Sequence, residues 1–260
     1  MSGMRLCLSQ SEGLLAEMRR CPQGWDQVLS RRWSLAPADL VDKGEVNDEN
    51  YELESDRIGE FAGKAILENL PGASLMMLLG IGKIREWRFF VQEANQQRVS
   101  LSACDWSKVA NRNGTDFFAD LPMRRGIWNR VRRVDVEVLF ENLFSPMPKK
   151  NKTLAQRDLE EADLIYAGQF IQVLDDIGKN VVMRGLGKWL ASREGRKVLL
   201  VHPFPEDNRD AVWGHTTPYS LQQLLVPAIA GAGRELEVLG LQNKGGFYRH
   251  VYTAFTLTAK

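Results

Sequence analysis

The stretch Leu75-Met76-Met77-Leu78-Leu79-Gly80-Ile81-Gly82-Lys83-Ile84-Arg85-Glu86 decides the fold. Five consecutive apolar residues have the length of a strand, and without polar alternation they read as a strand buried on both faces. Two glycines follow at once, so the backbone turns sharply there and a ligand can approach main-chain amides closely. The turn is either a ligand loop or merely a tight strand-to-helix connection, and the GxG alone does not separate the two. A dinucleotide fingerprint requires a third glycine three residues after Gly82, where this chain has Arg85. A bulky cation at that point spoils the close helix-to-sheet packing of the motif, so NAD and FAD are disfavoured. No GxxxxGK[ST] occurs in the chain, which excludes a Walker phosphate loop.

Outward from this stretch, short apolar runs of strand length recur at 99–103, 134–139, 164–167, 197–201, 235–241 and 251–257. Before it, Ser55 stands as a capping residue ahead of Ile58, Phe61, Ala62, Ala65, Ile66 and Leu67, a helical stripe that ends near 69–72. Further helices are expected over 177–192 and 221–232. Repetition of strand, helix and strand implies crossovers and a parallel sheet covered on both faces. Residues 241–246, Leu-Gln-Asn-Lys-Gly-Gly, supply turn residues and leave no room for a crossover helix, so the last two strands should pair antiparallel. The expectation is an α/β fold with a seven-stranded, mostly parallel sheet, an antiparallel C-terminal hairpin and helices on both faces. Residues 9–32 carry apolar side chains at helical spacing broken by Pro22-Gln23-Gly24, and 36–56 is acidic and rich in turn formers. These read as a helical N-terminal extension and a loop. The chain thus divides into a cap with its acidic loop (1–50) and an α/β domain (51–260).

Composition narrows the function. Lys+Arg 34 against Asp+Glu 33 leaves a formal charge of +1, so no global field draws the chain to nucleic acid or anionic lipid. At 44% apolar and 26% charged it is an ordinary globular chain, which excludes disordered and fibrous classes. No apolar run approaches the roughly 20 residues that span a bilayer, and residues 1–10 lack the apolar stretch of a secretory signal. A cytoplasmic protein with no membrane partner is expected. Cys7, Cys21 and Cys104 are odd in number and have no CxxC spacing, which argues for reduced thiols. The three histidines, His202, His215 and His250, show no ligand spacing, so no metal is expected.

In an open α/β sheet, ligands sit beyond the carboxyl ends of the strands. Asp105 stands just past the second predicted strand, where a carboxylate can accept from both hydroxyls of a ribose; its other reading is a helix cap. Trp106 offers a flat face for an adenine, or is simply core. Glu141 and Asn142 follow the third predicted strand and either read an exocyclic amine or lie solvated in a loop. The fourth strand runs into Tyr166-Ala167-Gly168-Gln169-Phe170.

This succession resembles the class I S-adenosylmethionine-dependent methyltransferases, over about residues 51–260. The resemblance implies S-adenosyl-L-methionine as cofactor. By it, Gly80, Ile81 and Gly82 would lie beside the methionine part, Asp105 would hold the ribose, and Trp106 would flank the adenine. Glu141 and Asn142 would lie near the adenine amine, and residues 166–170, with Gln169 on the cofactor side, would line the methyl-transfer site. The chain departs from the family in carrying Leu75-Met76-Met77-Leu78 where an acidic residue usually precedes the loop, and Ile84 or Arg85 where a third glycine stands.

Methyl transfer from a sulfonium needs alignment more than acid–base chemistry, and a general base only for a protonated acceptor. His202, at the end of the fifth predicted strand, is the first candidate because its ordinary pKa lies near neutrality. His215 is the second and Tyr166 a third; either histidine is otherwise structural, and so is His250. Tyr166, Phe170, Phe204, Trp213 and Tyr219 would form an aromatic pocket for a small-molecule acceptor. RNA is the alternative acceptor, suggested by Arg124, Arg125, Arg130, Arg132 and Arg133 around Trp128, with Lys149, Lys150 and Lys152 beyond; the plainer reading of that segment is an amphipathic, solvated helix face. A third reading is a non-catalytic relative that binds a partner or oligomerises through the N-terminal helices.

Overall fold

The computed structural model describes residues 48–81, 86–122, 124–142, 151–168, 171, 174, 176–205, 218–247 and 250–260, with the backbone course alone for 48–55, 176, 202–205, 218–221, 243–247, 250 and 251. The elements run α1 (Asp48–Asn69), β1 (Leu75–Leu79), α2 (Trp87–Gln96), β2 (Ser100–Asp105), α3 (Lys108–Ala119), β3 (Asn129–Arg133), α4 (Val136–Glu141), α5 (Leu154–Glu161), β4 (Leu164–Gly168), α6 (Asp176–Ala191), β5 (Lys197–Pro205), α7 (Pro218–Ala230), β6 (Leu236–Phe247) and β7 (His250–Ala259). One seven-stranded sheet has the order β3-β2-β1-β4-β5-β7-β6. β1 pairs parallel with β2 and β4, β2 with β3, and β4 with β5. β7 runs antiparallel to both β5 and β6. Five parallel strands and a terminal hairpin are therefore what the chain builds.

The uninterrupted apolar run of β1 follows from burial on two sides. Leu75, Met77 and Leu79 join the core under α4, α5, α6 and α7, while the alternate residues Met76 and Leu78 join the core under α1, α2 and α3. All five are buried. On the first face Trp189 lies fully buried and donates its indole N–H to the Leu159 carbonyl at 2.6 Å, which satisfies its one polar atom. On the second, α1 presents Ile58, Ala62, Ala65 and Ile66, a stripe at helical spacing, and Leu70 follows just past its end. Gly63 lets α2 approach α1 closely: a Cβ there would stand 2.5 Å from the Phe89 Cβ.

Four expectations are corrected. α1 begins at Asp48, so residues 48–56 of the supposed acidic loop are helical and Ser55 lies inside the helix rather than capping it. The third strand is Asn129–Arg133, not 134–139. Residues 134–139 alternate like a strand, but Val136, Leu139 and Phe140 are buried while Val138 is 45% exposed, which is helical periodicity; the Asp135 carboxylate caps the helix by accepting the Glu137 amide at 3.0 Å. The arginine-rich segment is accordingly not a helix face: its second half is the edge strand β3. Finally, β6 continues through residues 241–246 to Phe247, so the predicted turn residues extend the strand, with bulges at Val238/Gly240 and Lys244/Phe247. The sequence reading assigns no individual helix at α2, α3 or α5. The predicted helices within residues 9–32 lie outside the described residues.

Candidate functional site

The first three strands run from β1 outward through β2 to β3, and the fourth starts again on the other side of β1. The sheet's switch point therefore lies between β1 and β4, where two neighbouring loops leave in opposite directions and open a crevice. Leu79 is in register with Cys104 of β2 and with Ala167 of β4. The next residue on each strand is Gly80, Asp105 and Gly168, so these three stand side by side at one level. At about 4.8 Å per strand, Asp105 and Gly168 are about 10 Å apart.

Gly80 has φ 77°, a left-handed conformation that only glycine adopts without strain, and its amide donates to the Cys104 carbonyl at 2.9 Å. The next amide, that of Ile81, donates to Asp105 Oδ2 at 2.8 Å. Asp105 Oδ1 accepts the Ser107 amide at 2.8 Å, and its carbonyl accepts the Asn111 side-chain amide at 2.7 Å. Asp105 is 8% exposed, and its carboxylate is held at the rim from both sides. The cap of α3 is Ser107, whose Oγ accepts the Ala110 amide at 3.2 Å, so Asp105 is not the helix cap. Trp106 is half-buried and packs on the first core, and its carbonyl accepts from Arg133 at 3.2 Å.

On the β4 side, Tyr166 is buried in the second core, and its phenol donates to Glu86 Oε1 at 3.3 Å. The ring folds over the end of its own strand: a Cβ on Gly168 would overlap the phenol oxygen. Burial pushes the Tyr166 pKa well above its ordinary value, and the Glu86 charge pushes it the same way. At neutral pH the phenol is therefore protonated and acts as a donor. Glu86 occupies the N-cap position of α2 but makes no side-chain cap bond.

Asp105, Gly80 and Ile81 come together with Tyr166 at one rim, and Trp106 is next to them in sequence. Glu141 and Asn142 do not join them as strand-end residues. They sit at the end of α4, Glu141 exposed and the Asn142 amide donating to the Val138 carbonyl at 2.8 Å. The residues that do follow β3 are Val134, whose amide donates to the Asp105 carbonyl at 3.0 Å, and Asp135. The residues missed are thus Glu86 and Asp135. Asp135 was findable, as an N-cap residue ahead of the helically spaced Val136, Leu139 and Phe140; nothing local in the sequence marks Glu86. Gly82, Gln169, Phe170, Trp213 and His215 lie outside the described residues, and for His202, Phe204 and Tyr219 the backbone alone is described: His202 is opposite Thr253 and Phe204 opposite Val251 in the β5–β7 ladder.

Two of the three arginines of β3 reach a buried carboxylate. Arg130 and Arg132 lie 3.9 and 3.4 Å from the buried Asp158 of α5, which also accepts the Ser102 hydroxyl at 2.7 Å. Arg130 further stacks 3.8 Å over the Trp128 ring. Arg133 donates to the Trp106 carbonyl and Lys152 pairs with Glu160, while Arg124 and Arg125 are exposed and Lys149 and Lys150 lie outside the described residues. The buried Cys104 thiol is pushed far above the ordinary range, by burial first and then by the Asp158 charge. Among the described residues no three His, Cys, Asp or Glu side chains gather as a metal site, and no helix is long and apolar enough to cross a membrane.

No protein-family model matches the sequence, and no curated protein matches it. Among solved structures, magnesium protoporphyrin IX methyltransferase from Synechocystis PCC 6803 with bound SAH is similar at a TM-score of 0.55 and 10% identity, over 94% of this chain and 98% of that one. The same protein with bound SAM aligns at 0.49 and 11%, over 90% and 97%. An O-methyltransferase family protein from Burkholderia thailandensis aligns at 0.49 and 11%, over 77% of this chain and 55% of that one. The strand order with its reversed last pair, the switch point beside β1 and the first of these likenesses together give the chain the fold of the class I S-adenosylmethionine-dependent methyltransferases.

Proposed function

We propose that the protein transfers the methyl group of S-adenosylmethionine to a small-molecule acceptor. The observation that carries the reading is the row of Asp105, Gly80 and Gly168 across three adjacent strands at the switch point. It presents a fixed carboxylate at one end, main chain without side chains in the middle, and the crevice of the sheet above. Those are the groups that an adenosine with an amino-acid arm asks for, so the residues present fit the cofactor.

When bound, the cofactor supplies a methyl group already activated by its sulfonium. Asp105 would accept the ribose hydroxyls, with its oxygens oriented by the Ile81 and Ser107 amides. Trp106 would lie against the adenine, and Asp135, at the end of β3, takes the adenine-side place that the sequence reading gives to Glu141 and Asn142. Gly80, Ile81 and Gly82 would line the methionine arm, and Gln169 and Phe170 the transfer site. Tyr166, buried and protonated, acts by position rather than as a base. His202, and after it His215, remain the candidates for a base, and Phe170, Phe204, Trp213 and Tyr219 for the acceptor pocket. The remaining task of the chain is to hold donor and acceptor in line and keep water out.

Two facts support a small molecule over RNA: the net charge of +1, and the engagement of Arg130 and Arg132 by the buried Asp158. The test is calorimetric titration with S-adenosylhomocysteine, followed by transfer of labelled methyl from S-adenosylmethionine to small-molecule and RNA fractions. Saturable binding with label in the small-molecule fraction is expected. Absence of binding overturns the reading, and label confined to RNA overturns the acceptor class.

A further inference from the structure

The two edges of the sheet are finished differently. At one edge, β3 has 5 residues and carries Arg130, Arg132 and Arg133. A short, charged strand is a poor template for a further strand. At the other edge, β6 runs for 12 residues, and among the described residues only its inner side is paired, with β7. From Leu236 to Asn243 its one charge is Glu237. Val238, Leu239 and Leu241 are 41, 48 and 52% exposed, three of the six exposed large apolar side chains among the described residues, and they fall within four positions. Such a concentration marks an interaction surface, which scattered apolar residues do not.

The strand is held ready for a neighbour. Val238 stands opposite the buried Leu257 and Leu241 opposite the buried Phe255, while Gln242 donates to Glu68 of α1. Between Val238 and Leu241, Gly240 has no reason within the fold to lack a side chain: a Cβ there would meet nothing within 4 Å. The bulge at this point does not call for glycine either, since Gly240 is not left-handed. Glycine weakens a strand interior and is kept where another backbone comes close.

The strand is also complementary to its own reverse. Laid antiparallel to a second β6, with a two-fold axis between Leu239 and Gly240, Val238 faces the partner's Leu241 and Leu239 faces the partner's Gly240. In the same register Glu235, just ahead of the strand, faces the partner's Lys244. Symmetry makes each contact twice. Apolar and oppositely charged cross-strand pairs are stabilising, and no like charges meet.

We propose that the β6 edge is a dimerisation surface, on which a second copy of the chain adds its own β6 antiparallel and the two sheets become one. The added strand supplies partners for the outer backbone groups and covers the apolar side chains together. The switch-point crevice lies between β1 and β4, beyond β5 and β7, so it stays open and the inference does not depend on the cofactor.

The test is sedimentation velocity with light scattering on the full chain at about 100 μM, a concentration that populates even a small interface. A species of twice the chain mass is expected. Leu241→Lys alters an exposed side chain and should leave the circular dichroism unchanged. It should raise the dimer dissociation constant by about tenfold or more, because it acts twice across the axis. Lys244→Glu sets acid against acid and should raise the constant by a smaller factor. Glu235→Lys combined with Lys244→Glu in one chain exchanges the charges and should restore it. A monomer assigns the edge to another occupant and overturns the proposal. So does a dimer that Leu241→Lys leaves intact, or one whose weakening by Lys244→Glu the exchanged charges fail to repair.

Discussion

Asp105 Oδ2 accepts the Ile81 amide at 2.8 Å, so the last residue of β2 holds the turn that follows β1. One carboxylate thereby sets both the loop's course and the charge at the rim. Asp105→Ala should weaken binding of S-adenosylhomocysteine by about 1–3 kcal/mol, the cost of a charge-assisted hydrogen bond, and lower stability because the Ile81 and Ser107 amides lose their acceptor. Asp105→Asn keeps one acceptor and should recover part of the stability and little of the affinity. Calorimetric titration beside urea denaturation separates the two effects, and an unchanged affinity in the alanine variant removes Asp105 from the site.

Gly168→Ala tests the packing on the other side of the row. The new methyl would overlap the Tyr166 oxygen and its Cζ, so the ring must leave its place. A loss of about 1–3 kcal/mol is expected, as for other overpacked cores. Tyr166→Phe in the same chain should relieve little of it, because Cε1 still stands 2.7 Å from the methyl. Full rescue by phenylalanine in a denaturation cycle would contradict this placement of the ring.

Asp158 is the buried centre on which Arg130, Arg132 and Ser102 converge. Removing one partner of a buried ion pair leaves uncompensated charge, so Asp158→Ala should cost about 3–5 kcal/mol, measured by urea denaturation. Retention on an immobilised RNA column, read as a function of salt, should be negligible for the unsubstituted chain. Retention with a steep salt dependence would show that these arginines reach phosphate.

At the opposite end of the sheet Asp163 offers a pH test. Burial works to raise its pKa, but the Ser74 amide and hydroxyl at 2.8 and 2.7 Å, the Leu75 amide and the Arg193 charge outweigh it, and the pKa lies below the ordinary carboxylate value. A folded-state pKa below the unfolded one contributes stability that is fully present above the unfolded value and is lost as pH falls through the folded value. The urea midpoint should therefore fall on acidification from about pH 6 to about pH 3, and more steeply for the unsubstituted chain than for Asp163→Asn. Parallel curves would remove Asp163 from the acid response.

Much of this was legible along the chain. The run 75–79 announced a doubly buried strand, because a strand covered on both faces has no polar period to show. The reversed final pair was legible from the lack of room for a crossover between the last two strands. That Asp105 closes the second strand was legible because Val99, Leu101 and Ala103 alternate up to it. Residues 134–139 misled: six residues admit both a period of 2 and a period of 3.6, and only the cap at Asp135 and the exposure of Val138 choose between them. That error moved the third strand end, and with it the adenine-side candidates, from Asp135 to Glu141 and Asn142.

The amino-acid order by itself determined that 75–79 is a strand with two buried faces, that the backbone turns sharply at the two glycines after it, and that the charges nearly cancel. Those are local properties, set by hydrophobic run length, backbone sterics and composition. The tertiary structure alone decided that Glu86 meets Tyr166 across 80 residues of sequence, that Gly168 stands level with Gly80, and that Arg130 and Arg132 of β3 converge on Asp158. Each of these depends on the register and order of strands that are distant in the chain, and register is settled by the joint packing of two cores, which no single segment encodes.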